Sequence, residues 1–325
     1  MSGNNALSCL LVALSFLAAA APTHGADDFP NKPIRVIVAY PPGGSTDIIA
    51  RILGQKLTDR FGQTMLVDNR AGAAGMLGAA IAAQSSADGY TLLLSDTPFV
   101  VNPSVFAKVA YDPVRDFTPI VMVAQSPLML VVNASVPAQT LQDLIKLAKA
   151  QPGKFTIASA GTGASSHVVA ELFKIRAGIS MTHVPYKGLG PALTEVAGGQ
   201  VNSLFSSIPA AMPLVKSGKL RVLGVCSPRR VAVAPEVPTM EEGGVSDFEA
   251  AIWYGYQGPA GLPKSVVGTL SSEIARAAEL PDVRERFLGI GLESFILMPR
   301  EFHAFIAADL KKWAEVVKAA NIKAE

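Results

Sequence analysis

A β-branched run, Ile34-Arg-Val-Ile-Val-Ala-Tyr40, stops at Pro41-Pro42-Gly43-Gly44 and gives way to helical spacing from Asp47 to Leu57. That reads as a strand, a tight loop and a helix. The unit recurs: Met65 to Asp68 leads into Gly72 to Gly78 and an Ala-rich helix, and Tyr90-Thr-Leu-Leu-Leu-Ser95 supplies a third strand. Apolar strands alternating with helices are covered on both faces, which restricts the chain to α/β layers around a mainly parallel sheet.

With 325 residues, half of them hydrophobic, the chain can bury two such units, at about 150 residues per domain. Two strand-like runs between Pro119 and Asn133 are separated only by Gln125-Ser126-Pro127, the mark of a chain crossing from one lobe to another. The alternation then restarts. Thr140 and Asp143 form a capping-box-like helix start, and Phe155 to Ser159 is the next strand. Gly161 to Ser166 is a second Gly/Ser/Thr loop, opening a helix from about His167 to Arg176. Ile179 to Tyr186, Val201 to Ile208 and Leu220 to Ser227 are further strands, with Pro191 at a helix start. Arg230 to Phe248 reads as loop with one helical turn at most, and Ala250 to Tyr256 as the return crossing. Pro263, Pro281 and Pro299 each open an amphipathic segment, so the tail is expected to be three helices. The expected division is a first lobe of 27–124 plus 252–298, a second of 125–251, and a C-terminal helix, 299–325, assignable to either.

Residues Met1 to Ala26 lack Asp, Glu, Lys and Arg, contain the apolar run Cys9 to Pro22, and precede Asp27 and Asp28; they read as a signal peptide. Lys and Arg number 28 against 26 acidic residues with no basic stripe, which excludes nucleic acid as an expected partner. Cleavage leaves Cys226 alone, expected as a small buried hydrophobe, so neither a disulfide nor a cysteine metal site is available. The four histidines have no metal-ligand spacing, and neither a phosphate-binding P-loop nor a dinucleotide fingerprint is present. No cofactor is expected.

The two Gly-rich loops carry the chemistry, since each joins a strand end to a helix start, where open α/β sheets bind ligands. A helix start offers unpaired N–H groups and the positive end of its dipole, so it can hold an anion without Lys or Arg. Gly43 and Gly44 allow close approach, and Ser45 and Thr46 add hydroxyls; Gly161, Thr162, Gly163, Ser165 and Ser166 repeat the pattern. Asp47, in a first helical turn, reads more readily as a dipole partner than as a contact to an anion. His167 can serve a ligand or its own loop. A hydrolase built on Ser166, His167 and Asp96 is a remote alternative, because adjacent residues on a helix face different ways. A bulkier residue at Gly44 or Gly163 is expected to weaken binding at least tenfold, about 1.4 kcal/mol.

The stretches Tyr40-Pro-Pro-Gly-Gly-Ser-Thr-Asp-Ile-Ile-Ala-Arg51, Val67-Asp-Asn-Arg-Ala-Gly-Ala-Ala-Gly75, Asp88 to Ser95, Tyr111 to Pro119, Val184-Pro-Tyr-Lys-Gly188, Pro235 to Gly244 and Gly258 to Pro263 occur in that order. On these motifs the chain resembles the tripartite tricarboxylate transporter receptor (Bug, or TctC-like) family from about Pro33 to the end. The resemblance implies a periplasmic, two-lobed Venus-flytrap protein of type II-like periplasmic-binding-protein fold, not an enzyme, closing on a small carboxylate. It implies site residues Tyr40 to Asp47, with Ser95 and Asp96, in one lobe, and Ser159 to His167, with Ser206 or Ser207, in the other. Where relatives commonly have Asp, this chain has Asn202, and Ser206-Ser207 occupies a variable position, so ligand identity stays open. The implied partner is a pair of membrane permease subunits; a membrane sensor is the alternative. A monomer is expected, because a flytrap must open and close.

Overall fold

The computed structural model describes residues 29–231 and 233–323, so the expected leader at 1–26 lies outside the described residues. β1 (Ile34–Val38) pairs in parallel with β2 (Met65–Asn69) on one side and β3 (Thr91–Asp96) on the other. Ile34, Val36 and Val38 point to one face, where they meet Ile49, Leu53 and Leu57 of α1 (Ser45–Phe61). Ile37 points to the other face, toward Ala79 and Ala82 of α2 (Met76–Ala83). Cover on both faces is why β1 is apolar at every position but Arg35, whose guanidinium pairs with Asp68. α1 stops at Gly62, whose φ of 64° lets its N–H close on the Thr58 carbonyl. A Cβ on Gly78 would lie 2.8 Å from that of Ala39, so α2 reaches the sheet only because this residue has no side chain.

α3 (Pro98–Val105) is a helix that the sequence pattern did not suggest, because it contains Pro103. Proline cannot bond the carbonyl four residues back, here that of Phe99. The Tyr111 hydroxyl donates to that carbonyl at 2.9 Å, and its ring stacks on Phe99 at 5.0 Å.

The two runs expected around Gln125-Ser126-Pro127 are one strand, β4 (Phe117–Asn133), and what changes there is the partner. Up to Pro127, β4 lies antiparallel to β9 (Ala251–Pro259), with β10 (Glu293–Leu297) on its other side. From Leu128 it lies antiparallel to β7 (Ser203–Ser207) and β8 (Leu220–Val225). Proline has no N–H to give a ladder, so it is tolerated where one set of partners ends and the next begins. The strand order is β2-β1-β3-β9-β4-β7-β5-β6, with β8 and β10 also on β4. β5 (Thr156–Ser159) and β6 (Thr182–Pro185) complete the second parallel group with β7; β6 is shorter than the expected Ile179 to Tyr186.

Helices α4 (Leu141–Ala150), α5 (Ser165–Ala177), α6 (Leu189–Ala197) and α7 (Ile208–Lys216) follow in this half. The expected capping box forms on α4: the Asp143 N–H donates to Thr140 Oγ1 at 3.2 Å, and the Thr140 N–H donates to Asp143 Oδ2 at 3.0 Å. Among the described residues, turns without a helix occupy the loop before β9. The three expected tail helices are α8 (Lys264–Ala278), α9 (Pro281–Gly289) and α10 (Pro299–Ala319), with β10 unforeseen between the last two. α10 packs on α3 and β4 and also touches α5, so it lies along both halves of the sheet. Its anchor is Trp253, whose ring meets Phe302 edge-on at 5.6 Å and whose Nε1 donates to Asp309 Oδ2 at 2.8 Å. Cys226 is buried, which pushes its thiol well up and leaves it inert, as expected.

Candidate functional site

Sheet register alone brings the two halves to one place. Asp96, at the carboxyl end of β3, stands opposite Tyr254 of β9, and Tyr254 stands opposite Ala124 of β4. Ser207, at the carboxyl end of β7, stands opposite Leu128 of β4. Because β7 runs against β4 while β3 runs with it, the two carboxyl edges point at each other, four β4 residues apart, roughly 13 Å at ~3.3 Å per residue.

On the first edge, Gly43, Gly44 and Ser45 are exposed and no side chain caps α1, whose N-cap is Gly44. Thr46 and Asp47 are buried behind them. Asp47 accepts from the Gly43 N–H at 3.0 Å, from Asn69 Nδ2 at 3.0 Å, and from Arg51 Nε and Nη2 at 3.0 and 2.9 Å. Its oxygens are thus committed to holding the loop. Asn69 Nδ2 also donates to the Tyr40 carbonyl at 3.1 Å. The Arg51 bond outweighs burial and holds the Asp47 carboxyl down at about 2. A lowered carboxyl stabilises the fold above its ordinary range and loses that contribution as pH falls toward 2. Asp47→Asn is therefore expected to lower unfolding free energy at pH 7 by about 1–2 kcal/mol, Arg51 being half exposed and screened. The deficit should shrink on acidification, as urea titrations at several pH values will show.

Tyr40 donates to Asp96 Oδ1 at 2.7 Å, and Tyr254 faces both Asp96 and Ser45. Tyr40 and Asp96 line a small cavity with Gly75, Phe99, Asn102 and Tyr111. Burial pushes the Asp96 carboxyl up to about 7 against the Tyr40 hydrogen bond, which favours the anion. Ser95 is spent on the sheet: its hydroxyl donates to the Gly255 carbonyl at 3.0 Å and accepts from Gln257 Nε2 at 2.6 Å.

On the second edge, much of the expected chemistry is turned inward. Ser159 is fully buried, sharing a 2.6 Å hydrogen bond with His183 Nε2 and donating to the Gly161 carbonyl at 3.2 Å. Ser166 Oγ accepts from the Ala160 N–H at 2.9 Å, and His167 Nδ1 accepts from the Gly163 N–H at 3.1 Å. His167 therefore serves its own loop. Its ring stacks on His183 at 3.8 Å and 7°, so the two histidines brace the loop together. Burial, with His167 beside it, takes His183 down to about 4. Ser206 is fully buried and donates to the Ser207 carbonyl. What remains outward is Thr162, exposed, Gly161, Ser165 and Ser207, partly exposed, and the uncapped starts of α5 and α7. Gly163 is buried against Val105 of α3.

The structure thus gathers Tyr40, Asp96 and Ser45 around Tyr254, and places Thr162, Ser165 and Ser207 on the facing edge. Tyr254, Asn69 and His183 were not anticipated. Arg51 was legible as the i+4 partner of Asp47, whereas Asn69 and Tyr254 arrive from other strands. The hydrolase alternative fails on geometry: Ser166, His167 and Asp96 bond Ala160, Gly163 and Tyr40 respectively, and not one another.

A family model described as the tripartite tricarboxylate transporter family receptor matches residues 49–322. The chain belongs to that family. Protein BugT of Bordetella pertussis is 37% identical over 325 residues, 99% of each chain. A solved protein of R. palustris, described with adipate, is 32% identical with a TM-score of 0.79 over 90% of this chain and 98% of its own. MatC from Rhodopseudomonas palustris, with bound malate, is 29% identical with a TM-score of 0.74 over 89% of this chain and 100% of its own. The receptor accordingly has the α/β periplasmic-binding-protein fold expected from its motifs, in a family of receptors and not of enzymes.

Proposed function

We propose that this receptor captures a small mono- or dicarboxylate between the two facing edges, in the periplasm, and presents it to membrane permease subunits. The observation that carries the reading is the pair of opposed carboxyl edges, each with helix starts that no side chain caps, at α1 on one edge and at α5 and α7 on the other. Such starts receive an anion through backbone N–H groups and the helix dipole, and at the first loop the nearby Arg51 is already committed to Asp47. The adipate and malate held by two relatives are of that chemical class.

In this reading the lobes are 27–124 with 252–298, and 125–251. β4 and β9 are the crossings, and α10 is the strut along both. A ligand that touches both edges only when the lobes approach shifts the population toward the closed form, and the closed form is what a permease reads.

Thermal unfolding against adipate, malate, aromatic monocarboxylates and neutral amide and sugar controls tests the reading. A ligand at 100 times its Kd adds about 2.7 kcal/mol of stability, a shift of several degrees. Stabilisation by acids alone is the expected result. A shift with a neutral or cationic compound and with no acid would overturn it.

A further inference from the structure

We propose that capture by this receptor is coupled to a proton: Asp96 receives the ligand carboxylate as a neutral acid, so that an anion binding to the receptor with Asp96 ionised takes up one proton. The inference rests on the reading of the two edges as a carboxylate site. Asp96 ends β3 on the edge that faces the other half, beside Ser45 and Tyr254. One of its oxygens accepts from Tyr40, its own backbone N–H also donates to the carboxyl, and among the described residues no further hydrogen bond reaches it. The titratable groups that bear on it are Tyr40 from the loop after β1, Tyr111 from the segment before β4, and Tyr254 from β9, none of them a cation.

An ionised carboxylate in that position repels an anionic ligand at short range, and no neighbouring cation offsets it. A protonated one does the reverse. Its oxygen on Tyr40 goes on accepting while the other, now O–H, donates to the incoming carboxylate in a charge-assisted bond. The Tyr40 hydroxyl and the backbone N–H of Asp96 itself both favour the anion, yet burial outweighs them, so the proton is retained up to about pH 7. No bond is broken beyond the transfer of a proton from water to Asp96, and release of the ligand at higher pH returns it.

The test has an arm with ligand and an arm without. In the first, adipate and malate are titrated by calorimetry from pH 5.5 to 8.5, in buffers of different ionisation enthalpy, on the wild type and on Asp96→Asn. Affinity of the wild type is expected to fall up to tenfold per pH unit above about 7 with uptake of close to one proton, and Asp96→Asn is expected to lose that slope. Tyr40→Phe, which removes the bond favouring the anion, should move the midpoint to higher pH.

In the second arm the sign follows from a carboxyl raised above its unfolded value: the stability of the wild type relative to Asp96→Asn declines from about pH 4 to about pH 7, the opposing His183 contribution being common to both proteins. A flat wild-type affinity profile, an unchanged slope in Asp96→Asn, or no difference in the ligand-free pH profiles would overturn the proposal while leaving solute capture intact. Tighter binding of an amine-bearing acid as pH rises would make Asp96 a counter-ion and also overturn it. If neither acid binds either protein at any pH, the carboxylate reading falls and the proposal with it.

Discussion

Gly163→Val is expected to lower carboxylate affinity by at least tenfold, about 1.4 kcal/mol, while the domain stays folded. Gly163 has a φ of +78°, in the left-handed region that β-branched residues avoid, and a Cβ there would stand 3.0 Å from Val105 Cγ1 at the end of α3. Relief requires the loop to back away, breaking the bond from the Gly163 N–H to His167 and turning the uncapped start of α5 off its aim. Gly44 is the contrasting position. Its φ of −79° is open to any residue and nothing lies within 4 Å of an added Cβ, so Gly44→Ala should leave stability unchanged and report only whether ligand approaches that backbone. The sequence treated the two glycines as equivalents; their dihedral angles separate them. Calorimetric titration and urea unfolding on both variants make the comparison, and wild-type affinity in Gly163→Val would refute the role given to the second loop.

Trp253→Ala should lower unfolding free energy by about 3–5 kcal/mol, as truncation of a buried large aromatic does. Trp253 is fully buried between β9 and α10, packed on Phe302 and Phe305 and bonded to Asp309. Removal leaves a cavity and an Asp309 carboxyl without its partner, at the point where α10 is fixed to the sheet. Trp253→Phe keeps most of the packing and loses the Nε1 bond, so about 1–2 kcal/mol is expected. Urea unfolding of the pair separates the contributions. A loss below about 1 kcal/mol in the alanine variant would mean that α10 is held by something other than this contact.

α1, α5 and the three tail helices were legible because their starts carry local punctuation: Gly-rich loops or a proline at the first turn, followed by helical spacing. α3 was illegible for a physical reason. Pro103 reads as a breaker, and the hydroxyl that satisfies the carbonyl it abandons, Tyr111, comes from beyond the end of the helix. β10 is five residues long and follows a helix, and only pairing with β4 makes it a strand. The candidate site divides similarly. Gly43, Gly44, Ser45, Thr162 and Ser165 were found from loop chemistry, and the structure leaves them at or near the surface, Gly43, Gly44, Ser45 and Thr162 exposed and Ser165 partly so. Ser95, Ser159, Ser166 and Ser206 looked equally available, yet each is bound within the fold.

By itself the sequence determined the α/β alternation, the two Gly-rich strand-to-helix loops and the family, because these rest on local periodicity, turn chemistry and ordered motifs, which act over a few neighbouring residues. Only the tertiary structure decided that the two edges face each other, that His167 and Asp47 serve their own loops, and that Asp96 sits among tyrosines without a cation. Those properties depend on strand register and on burial among residues far apart in the chain, and no local pattern encodes either one.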